Sequence, residues 1–582
     1  MTNDSSRAWL RALELTAPIP ANPKVILPTV VERLAGKFGD APALLSDGSS
    51  VSYRELAARV DRYARWAIGV GLGKGEVVCL LMPNCPDYFA IWLGISRAGG
   101  IVSLLNTNQR GAALEHSIAL VSPRHVIVAA ALEEAYLSLG GACRSGPAWW
   151  AHGGDMRDLP RVDTQALASA AQDADDRRAP SIHDTALYLY TSGTTGLPKA
   201  APVSHYRLMQ WSHWFAGMMG TTREDRMYNC LPMYHSVGGV VAIGAALIGG
   251  GSVVLRDRFS SGEFWQDIAR WDCTLFQYIG EICRYLLKAQ SHPLEASHRI
   301  RLACGNGLSG EIWEAFQSRF RIPRILEFYA ATEGTVSLYN CDGRVGAIGR
   351  FPPFLSHRKY IEILRCDPET GVPVRGEDGL CLRCESGEAG LAAGRISDDS
   401  RFLGYTDPEA TQKKILRNVF APGDAWFSTG DLMRRDTSGY FYFVDRIGDT
   451  FRWKGENVST TEVANVVAGC TGVADAAVYG VPVPHSDGRA GMAAIVADDA
   501  FGLQDFHDEI SQRLPAYAQP LFLRICRHLD RTGTFKPQKQ RLSREGYDPE
   551  LVTDAIYLRT GGGFVPLDAA LFGRIRDGSI RL

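Results

Sequence analysis

The sequence predicts an α/β fold, with a large N-terminal domain of αβ-layered sheets that includes a β-rich subdomain, followed by a small α+β C-terminal domain. Before about residue 360, short β-branched apolar runs alternate with helix-like segments. Beyond it the chain turns to strand pieces separated by turns, and after Arg446 a new αβ pattern begins. At 582 residues and 46% hydrophobic content, the chain can bury a large core and form more than one domain.

In the N-terminal part, runs such as "EVVCLLM" and "RHVIVAA" alternate with the helix-like "SYRELAARVDRYARWAIGVG" and "YFAIWLGISRAGG". This alternation is typical of mostly parallel sheets that are covered by helices. The uncharged run from Val237 to Leu255 approaches the length of a membrane span. Three consecutive glycines from Gly249 divide it into a helix-like piece and a strand-like piece, which favours a buried αβ unit.

The β-rich subdomain is predicted from "YIEILRC", "GLCLRCESGEAG" and "GYFYFVDRIGD". In the part that follows, "STTEVANVVAGC" is helix-like and "DAAVYGVPV" is strand-like. We place the domain boundary at Gly448, which gives an N-terminal domain of 1–447 and a C-terminal domain of 448–582.

Composition excludes some classes of partner. The 62 basic and 64 acidic residues nearly cancel, so nothing draws the chain as a whole toward nucleic acid or anionic lipid. The N-terminal stretch has no long apolar core, and cytoplasmic residence is therefore the expectation. The thirteen cysteines are spread along the chain, and Cys381 with Cys384 forms a C-x-x-C that lacks a second half at zinc-site spacing, so we expect reduced thiols.

The stretch "YTSGTTGLPK", residues 190–199, is the first candidate site. Its glycines permit a tight turn in which backbone N–H groups and hydroxyls can surround phosphate oxygens, and Lys199 supplies positive charge. The spacing does not fit the P-loop of nucleotide hydrolases, because Pro198 and not glycine precedes the lysine. Taken alone, the stretch is equally consistent with a polar hairpin loop.

Further motifs have matching chemistry. The segment "EFYAATEG" places an aromatic ring, a threonine and a carboxylate in one turn, which suits base stacking, phosphate contact and Mg²⁺ binding through Glu333. Asp431 offers acceptors for ribose hydroxyls, Arg446 follows, and Lys536 lies in a Gly/Thr-rich loop. Each of these, taken singly, is also consistent with a solvated surface turn.

Together these motifs resemble the adenylate-forming superfamily of acyl-CoA synthetases, acyl-adenylate ligases and luciferases, over nearly the whole chain. Within that superfamily, the sequence most resembles the very-long-chain acyl-CoA synthetase and fatty acid transport protein group. The segment "DRIGDTFRWKGENVSTTEV", Asp445 to Val463, is similar to the hallmark of that branch. "QYIGEICRYLL", "GNGL" and "TGTFK" are similar to it as well.

The resemblance implies the following nucleotide-site residues. The loop that would hold the β and γ phosphates of ATP consists of Thr191, Ser192, Gly193, Thr194, Thr195, Gly196 and Lys199. The residues that would border the adenine and acyl sites are Gly305, Asn306 and Gly307. Tyr329 would stack on adenine with Ala330 beside it, Thr332 would contact phosphate, and Glu333 would bind Mg²⁺. Asp431 would take the ribose hydroxyls with help from Arg446.

The resemblance also implies the reaction and its moving part. A carboxylic acid, fatty or aryl, would be activated by ATP as an acyl-adenylate and then transferred to CoA as co-substrate. Lys536 would bridge the carboxylate and the α-phosphate, and His235 with Val237 would lie at the acyl pocket. The C-terminal domain would then rotate about a hinge at Gly448, although an ordinary turn glycine is an equal alternative there.

Two departures leave the acid open. The helix-like "HYRLMQWSHWFAGMM" carries Trp211 and Trp214, which are consistent with core packing or with a shortened acyl tunnel. Thr335 stands where the branch usually has asparagine. A narrowed pocket would favour a short or aromatic acid.

Other functions stay open at this point. One is a diazotase that uses ATP to activate nitrite and diazotise an aryl amine, which would keep the ATP motifs without an acyl tunnel. Another is a membrane fatty acid uptake protein, although the sequence has no unbroken transmembrane span. A binding module without catalysis would not need the lysine and carboxylates that are present. A homodimer also remains open.

Overall fold

The computed structural model describes residues 3–168, 179–192, 198–355, 361–367, 370–397, 402–486, 488–533, 535–580 and 582. The chain divides into two compact units. The first unit consists of Met1–Leu308, Ile312–Val345 and Arg401–Lys413, and the second of Ser309–Glu311, Gly346–Ser400 and Lys414–Leu582. The domain boundary at Gly448 stays a prediction.

One sheet of the first unit is parallel except for its last hairpin. Its strands are β3 (Val77–Leu81), β4 (Ile101–Leu104), β5 (His125–Ala129), β6 (Ala148–His152), β7 (Thr185–Ser192) and β8 (Pro198–Ser204). The strand order is β6-β5-β3-β4-β7-β8, with β7 and β8 antiparallel. The runs "EVVCLLM" and "RHVIVAA" form β3 and β5, as predicted.

The second sheet of this unit carries most of the candidate site. Its strands are β1 (Pro42–Ser46), β2 (Ser49–Ser52), β9 (Arg226–Asn229), β10 (Ser252–Leu255), β11 (Leu275–Ile279), β12 (Leu302–Asn306), β13 (Ile325–Ala330) and β14 (Ser337–Asn340). The order is β14-β13-β12-β11-β9-β10-β1-β2. The inner pairs are parallel, and β2 and β14 are antiparallel to their neighbours. This arrangement places the ends of β12 and β13 side by side.

Helices connect these strands. Those up to residue 345 are α1 (Asn3–Thr16), α2 (Leu27–Phe38), α3 (Tyr53–Gly69), α4 (Pro86–Arg97), α5 (Gly111–Ala119), α6 (Glu133–Leu137), α7 (Gly141–Ser145), α8 (Val162–Ala168), α9 (His205–Met219), α10 (Ala242–Ile248), α11 (Phe264–Arg270), α12 (Gly280–Lys288) and α13 (Gly310–Arg319). Helix α3 begins at a capping box, in which the Ser52 and Glu55 side chains each accept a backbone N–H of the other residue. Helix α14 (Pro408–Gln412) lies in the short segment that rejoins the first unit.

The apolar run from Val237 is buried, as predicted. It forms a π-helical turn at Val237–Val241, then α10, then strand β10. Among the described residues, no helix combines the length and the apolar character needed to cross a bilayer. The core of this unit includes fully buried aromatic residues such as Trp66, Tyr88 and Trp92.

The second unit begins with an antiparallel sheet of β15 (Ile361–Leu364), β16 (Ala389–Arg395), β17 (Ile415–Arg417), β18 (Ala425–Arg435) and β19 (Phe441–Arg446). This is the predicted β-rich part. Within "GLCLRCESGEAG", however, Cys381 and Arg383 form isolated bridges, and a regular strand starts at Ala389. A turn that closes between Gly376 and Gly379 precedes the run, and a turn that closes between Glu385 and Glu388 interrupts it.

The rest of this unit is the predicted α+β part. Its strands are β20 (Phe451–Trp453), β21 (Glu456–Val458), β22 (Val473–Pro482), β23 (Arg489–Ala497), β24 (Phe522–Cys526), β25 (Ala555–Thr560) and β26 (Gly563–Pro566), and its helices are α15 (Thr460–Ala468), α16 (Leu503–Arg513), α17 (Lys539–Glu545) and α18 (Ala569–Arg576). Side chains of β22 to β25 and of α15 to α17 form one buried cluster. All thirteen cysteines of the chain are among the described residues and are free thiols.

Candidate active site

The hairpin of β7 and β8 positions the two ends of the candidate phosphate loop. Thr191 on β7 pairs in register with Lys199 on β8. The loop residues Gly193, Thr194, Thr195 and Gly196 lie outside the described residues, and Ser192 ends β7. The structure therefore brings the threonine and the lysine to the same end of one hairpin.

A tyrosine joins this hairpin to the candidate metal ligand. The Tyr405 hydroxyl donates to Glu333 Oε1 at 2.7 Å and also has a hydrogen bond with the Thr191 side chain. The Lys199 ammonium lies 5.6 Å from the centre of the Tyr405 ring. Burial and the nearby Glu333 carboxylate raise the pKa of Tyr405, so the hydroxyl keeps its proton and acts as a donor. Thr191, Lys199 and Glu333 thus meet around one side chain.

The backbone of the Glu333 loop is held separately, by Arg207 on α9. The Arg207 guanidinium donates to the carbonyl oxygens of Ala331, Glu333 and Gly334. It also stacks on the Trp211 ring, with 5.2 Å between the guanidinium carbon and the ring centre. Burial lowers the pKa of Arg207 to about 10, which leaves it charged at neutral pH. The half-buried cation is tolerated here because carbonyl oxygens accept its N–H groups.

The segment that follows β9, which contains His235 and Ser236, approaches Thr332 of the same loop. The Thr332 hydroxyl is 3.4 Å from the Ser236 hydroxyl, next to His235 in sequence. The His235 ring packs against Tyr234 with 4.7 Å between ring centres. Val237 begins the π-helical turn, so its side chain position is set by that turn and not by a regular α-helix.

Glu327, on β13, organises the loop that ends β12. Its Oε1 accepts the backbone N–H groups of Gly307 and Leu308, and its Oε2 accepts the Tyr278 hydroxyl. The carboxyl is 1% exposed, and burial raises its pKa to about 8 although all three donors favour the charged form. The backbone of Gly307 can pass close to Gly280 only because residue 280 is a glycine, since a Cβ there would lie 1.7 Å from the Gly307 carbonyl oxygen.

The predicted adenine-site residues lie at these strand ends. Gly305 and Asn306 end β12, and Gly307 follows with a positive φ of 84°. The half-buried Tyr329 and the exposed Ala330 end the adjacent parallel strand β13. Asn306 Oδ1 is buried and has no hydrogen-bond partner within the part of the chain that the structure describes. It is therefore an acceptor that a ligand donor can satisfy.

The two tryptophans of α9 have different surroundings. Trp214 packs edge-on against Trp9 of α1 at 5.4 Å and against Tyr339 at 5.5 Å between ring centres. Trp211 carries the Arg207 guanidinium. Both side chains are half-buried, and their role as walls of an acyl pocket stays a prediction. The hydroxyl of Thr335 is buried without a partner among the described residues.

In the second unit, Asp431 on β18 pairs in register with Arg446 on β19, and Arg446 Nε lies 3.6 Å from Asp431 Oδ1. Gly448 has a φ of 89°, and the space around it is open. Lys536 is exposed, and its backbone N–H donates to the Thr532 hydroxyl at 3.1 Å. Asp431 and Arg446 therefore lie side by side, and their ribose role, like the roles of Gly448 and Lys536, stays a prediction.

Sequence reasoning missed three residues that organise the site: Glu327, Arg207 and Tyr405. Glu327 had a detectable signal, since a glutamate inside the apolar run "ILEFYA" has to be satisfied by buried donors. Arg207 and Tyr405 had weaker signals, because their hydrogen bonds to Glu333 join residues far apart in the chain. Arg207 is 126 residues before Glu333, and Tyr405 is 72 residues after it.

The cluster around Glu333 can bind a polyanion together with a hard cation. The cluster combines an ammonium, hydroxyls and one carboxylate. The Mg²⁺ of a magnesium nucleotide is commonly bound by one or two protein carboxylates together with the phosphate oxygens of the nucleotide. Within the described ranges, no group of three or more histidine, cysteine, aspartate and glutamate side chains is placed to hold a metal ion. The donor set of Glu333 and neighbouring hydroxyls fits Mg²⁺ that arrives with a phosphate ligand.

Comparison with known proteins identifies the family. Residues 31–385 match the family "AMP-binding enzyme", and residues 462–536 match "AMP-binding enzyme C-terminal domain". Long-chain fatty acid transport protein 1 of Mus musculus is 40% identical over 96% of this chain and 88% of its own length. Long-chain fatty acid transport protein 3 of Homo sapiens is 40% identical over 88% of this chain and 76% of its own length.

Solved structures share the fold. The anthranilate CoA ligase AuaEII, in complex with anthranoyl-AMP, superposes with a TM-score of 0.75 at 20% identity, covering 89% of this chain and 96% of that one. ATP-bound MatB from Rhodopseudomonas palustris superposes with a TM-score of 0.73 at 25% identity, covering 89% and 98%. The resemblance drawn from the motifs is thereby confirmed: the chain belongs to the AMP-binding enzyme family, in the branch of the fatty acid transport proteins and acyl-CoA synthetases.

Proposed function

We propose that the protein is an acyl-CoA synthetase that activates a fatty acid with ATP and transfers the acyl group to CoA. The observation that carries this proposal is the meeting of Thr191, Lys199 and Glu333 in one cluster, in a chain of the AMP-binding enzyme family. The relatives named as long-chain fatty acid transport proteins favour a fatty acid over other acids. Family membership makes the chain an AMP-forming ligase that is similar to acyl-CoA synthetases.

The chemistry accounts for the charges of the site. A carboxylate oxygen attacks the α-phosphorus of ATP, the bond between the α and β phosphates breaks, and pyrophosphate leaves. Because both reactants are anions, the site needs cations and oriented donors to offset their repulsion. Lys199 and the hydroxyl of Thr191 supply such groups, and bound Mg²⁺ at Glu333 would neutralise further phosphate charge. The CoA thiol then attacks the acyl carbon, and AMP leaves.

The base site is supported by Asn306 and Glu327. Asn306 Oδ1 is a buried acceptor that lacks a partner among the described residues, and the adenine amino group is a donor. Glu327 fixes the backbone of Gly307 and Leu308, so the edge on which a base would lie is rigid before binding. We assign Tyr329 to stacking on the base and Asp431 with Arg446 to the ribose. We further propose that the enzyme works in the cytoplasm.

A pyrophosphate-release assay with ATP, Mg²⁺ and a panel of acids tests the activity. The panel contains short, long and very long fatty acids, benzoate and anthranilate, and nitrite with an aryl amine. We expect pyrophosphate release with long-chain fatty acids and formation of the matching acyl-CoA when CoA is added. Release only with nitrite and amine would identify a diazotase and refute the proposal, and release only with aromatic acids would refute the fatty substrate.

Uptake is the competing function, because the relatives are named transport proteins. Purified protein without a membrane should still form acyl-CoA if ligation is its activity. Fatty acid transfer across vesicles without ATP consumption would support uptake instead.

The chain length preferred by Trp211→Ala and Trp214→Ala variants tests whether these rings limit the length of the acid. Removing a limiting ring should extend the preference to longer chains.

A further inference from the structure

Tyr405 is placed where three predicted ATP-site residues meet, although it lies in a segment that returns from the β-rich part of the chain. Its hydroxyl contacts Glu333 and Thr191, and its ring lies 5.6 Å from the Lys199 ammonium. All four residues belong to the first unit. The tyrosine therefore touches the carboxylate proposed for the metal, as well as both ends of the predicted phosphate loop.

The position of Tyr405 is fixed by its own turn. The Thr411 hydroxyl accepts the Tyr405 backbone N–H at 2.9 Å and donates to the Asp407 carbonyl oxygen at the same distance. Gly404 has a φ of 78°, and a Cβ there would lie 2.6 Å from the Thr411 methyl carbon. Asp407 caps α14, which follows at once. A residue whose backbone is held in this way can orient a partner, because little of its backbone freedom is left to lose.

The segment is also attached to the hairpin. The backbone N–H of Thr406 donates to the Ala200 carbonyl oxygen at 3.1 Å, one residue beyond Lys199. This hydrogen bond ties the segment that contains Tyr405 to β8. The backbone of Glu333 is held from the other side, because Arg207 donates to the carbonyl oxygens of Glu333 and Ala331.

We propose that Tyr405 is a positioning residue of the nucleotide site, whose hydroxyl fixes one oxygen of the Glu333 carboxylate so that the other faces the magnesium of Mg²⁺–ATP. The inference rests on the proposed function. Arg207 holds the backbone of Glu333 but leaves the three rotatable bonds of its side chain free. A hydrogen bond at the carboxylate end is therefore needed to orient the carboxylate. Hydrogen-bond partners of this kind orient ligating carboxylates, and their removal typically lowers metal affinity.

The ring has a separate effect from the hydroxyl. It lies beneath the Lys199 ammonium, where the face of an aromatic ring attracts a cation. Replacement by phenylalanine keeps this contact and removes only the hydroxyl. Replacement by leucine removes both, so the two variants separate metal positioning from lysine positioning.

The test measures binding of an ATP analogue with a methylene group between the α and β phosphorus atoms, by calorimetry, with Mg²⁺ titrated in and separately with EDTA. For Tyr405→Phe we expect the apparent Mg²⁺ dissociation constant to rise about 10- to 100-fold, with binding in EDTA unchanged. Tyr405→Leu should in addition weaken binding in EDTA. Tyr442→Phe is the matched control, because it removes a tyrosine hydroxyl that contacts a carboxylate, Asp436, at 3.1 Å in the second unit.

An unchanged or lower Mg²⁺ dissociation constant for Tyr405→Phe would overturn the inference. Thermal unfolding of each variant shows whether a loss of binding is a loss of fold, and Tyr405→Phe should melt close to wild type. The proposed function fails separately. If the wild-type protein does not bind the analogue at all, the nucleotide assignment is wrong. If wild-type protein and Glu333→Gln bind it equally in Mg²⁺ and in EDTA, the metal assignment is wrong. If Glu333→Gln loses the Mg²⁺ dependence but Tyr405→Phe matches wild type, the positioning role alone is wrong.

Discussion

Glu327→Gln should abolish a pH dependence of stability that the wild-type protein has. Burial raises the pKa of Glu327 from 4.5 to about 8 in the folded chain, while in the unfolded chain the group returns to its ordinary value. Between these values the native state binds more protons than the unfolded state. The free energy of unfolding therefore falls as the pH rises through this window. The contribution is fully present below pH 4.5 and is lost as the pH passes about 8.

The magnitude follows from the difference between the two pKa values. The shift from 4.5 to about 8 is about 3.5 units, and each unit corresponds to about 1.36 kcal/mol, which gives roughly 5 kcal/mol over the window. This free energy is not reduced for solvent screening, because Glu327 is only 1% exposed. Glutamine keeps an oxygen to accept the N–H groups of Gly307 and Leu308, and its amide can donate to the Tyr278 oxygen, so the hydrogen-bonded arrangement survives without a charge.

The assay is urea unfolding of wild type and Glu327→Gln, followed by tryptophan fluorescence at several pH values between 4 and 9. Other titrating groups cancel in the difference between the two proteins. We expect wild type to lose stability relative to the variant as the pH rises. Tyr278→Phe removes a donor that favours the charged carboxylate, and so should shift the loss to higher pH. A difference between wild type and Glu327→Gln that stays constant with pH would refute the reasoning.

Three other changes test separate parts of the structure. Lys536→Ala should slow adenylate formation by about 10²–10³-fold and spare thiolysis of supplied acyl-adenylate, as rapid-quench assays of each half-reaction can measure; equal loss in both would remove its assigned role. Trp9→Ala should cost about 3–5 kcal/mol, since this 4% exposed ring packs against Trp214 and Tyr339; an unchanged urea midpoint would contradict that packing. Arg207→Met should weaken Mg²⁺-dependent nucleotide binding, because the carbonyl groups of the Glu333 loop lose their donor. Calorimetry measures this binding, and Glu224→Gln, at an exposed position in the same unit, is the control that should bind like wild type.

Much of the fold was predictable because its signals are local. The strands β3, β5 and β10 were predicted from short apolar runs, and α3 and α4 from helix-like segments. The strand piece predicted within "GLCLRCESGEAG" was wrong in part, since turns break it into isolated bridges. Strand period alone does not report where a turn closes, and short apolar pieces therefore overstate regular structure.

The candidate site was predictable only in its chemically distinctive members. Thr191 with Lys199, and Asp431 with Arg446, are predicted residues that the structure pairs across hairpins. Trp211 and Trp214 were ambiguous between core and pocket, and their neighbours are Arg207 and the ring of Trp9. The contact between Arg207 and Trp211 follows from their i, i+4 spacing on α9. The contact between Trp9 and Trp214 does not follow from spacing, because it joins segments that are far apart in the chain.

By itself, the sequence determined the order of αβ units, the position of the β-rich part and the family. Each of these depends on residues that are close together in the chain, so side-chain period and turn chemistry report them directly. Only the tertiary structure decided that Glu327 is a buried carboxyl holding Gly307, and that Tyr405 rests against Glu333. Those contacts depend on which strands lie side by side and on which loop returns to which hairpin, and no local pattern carries that information.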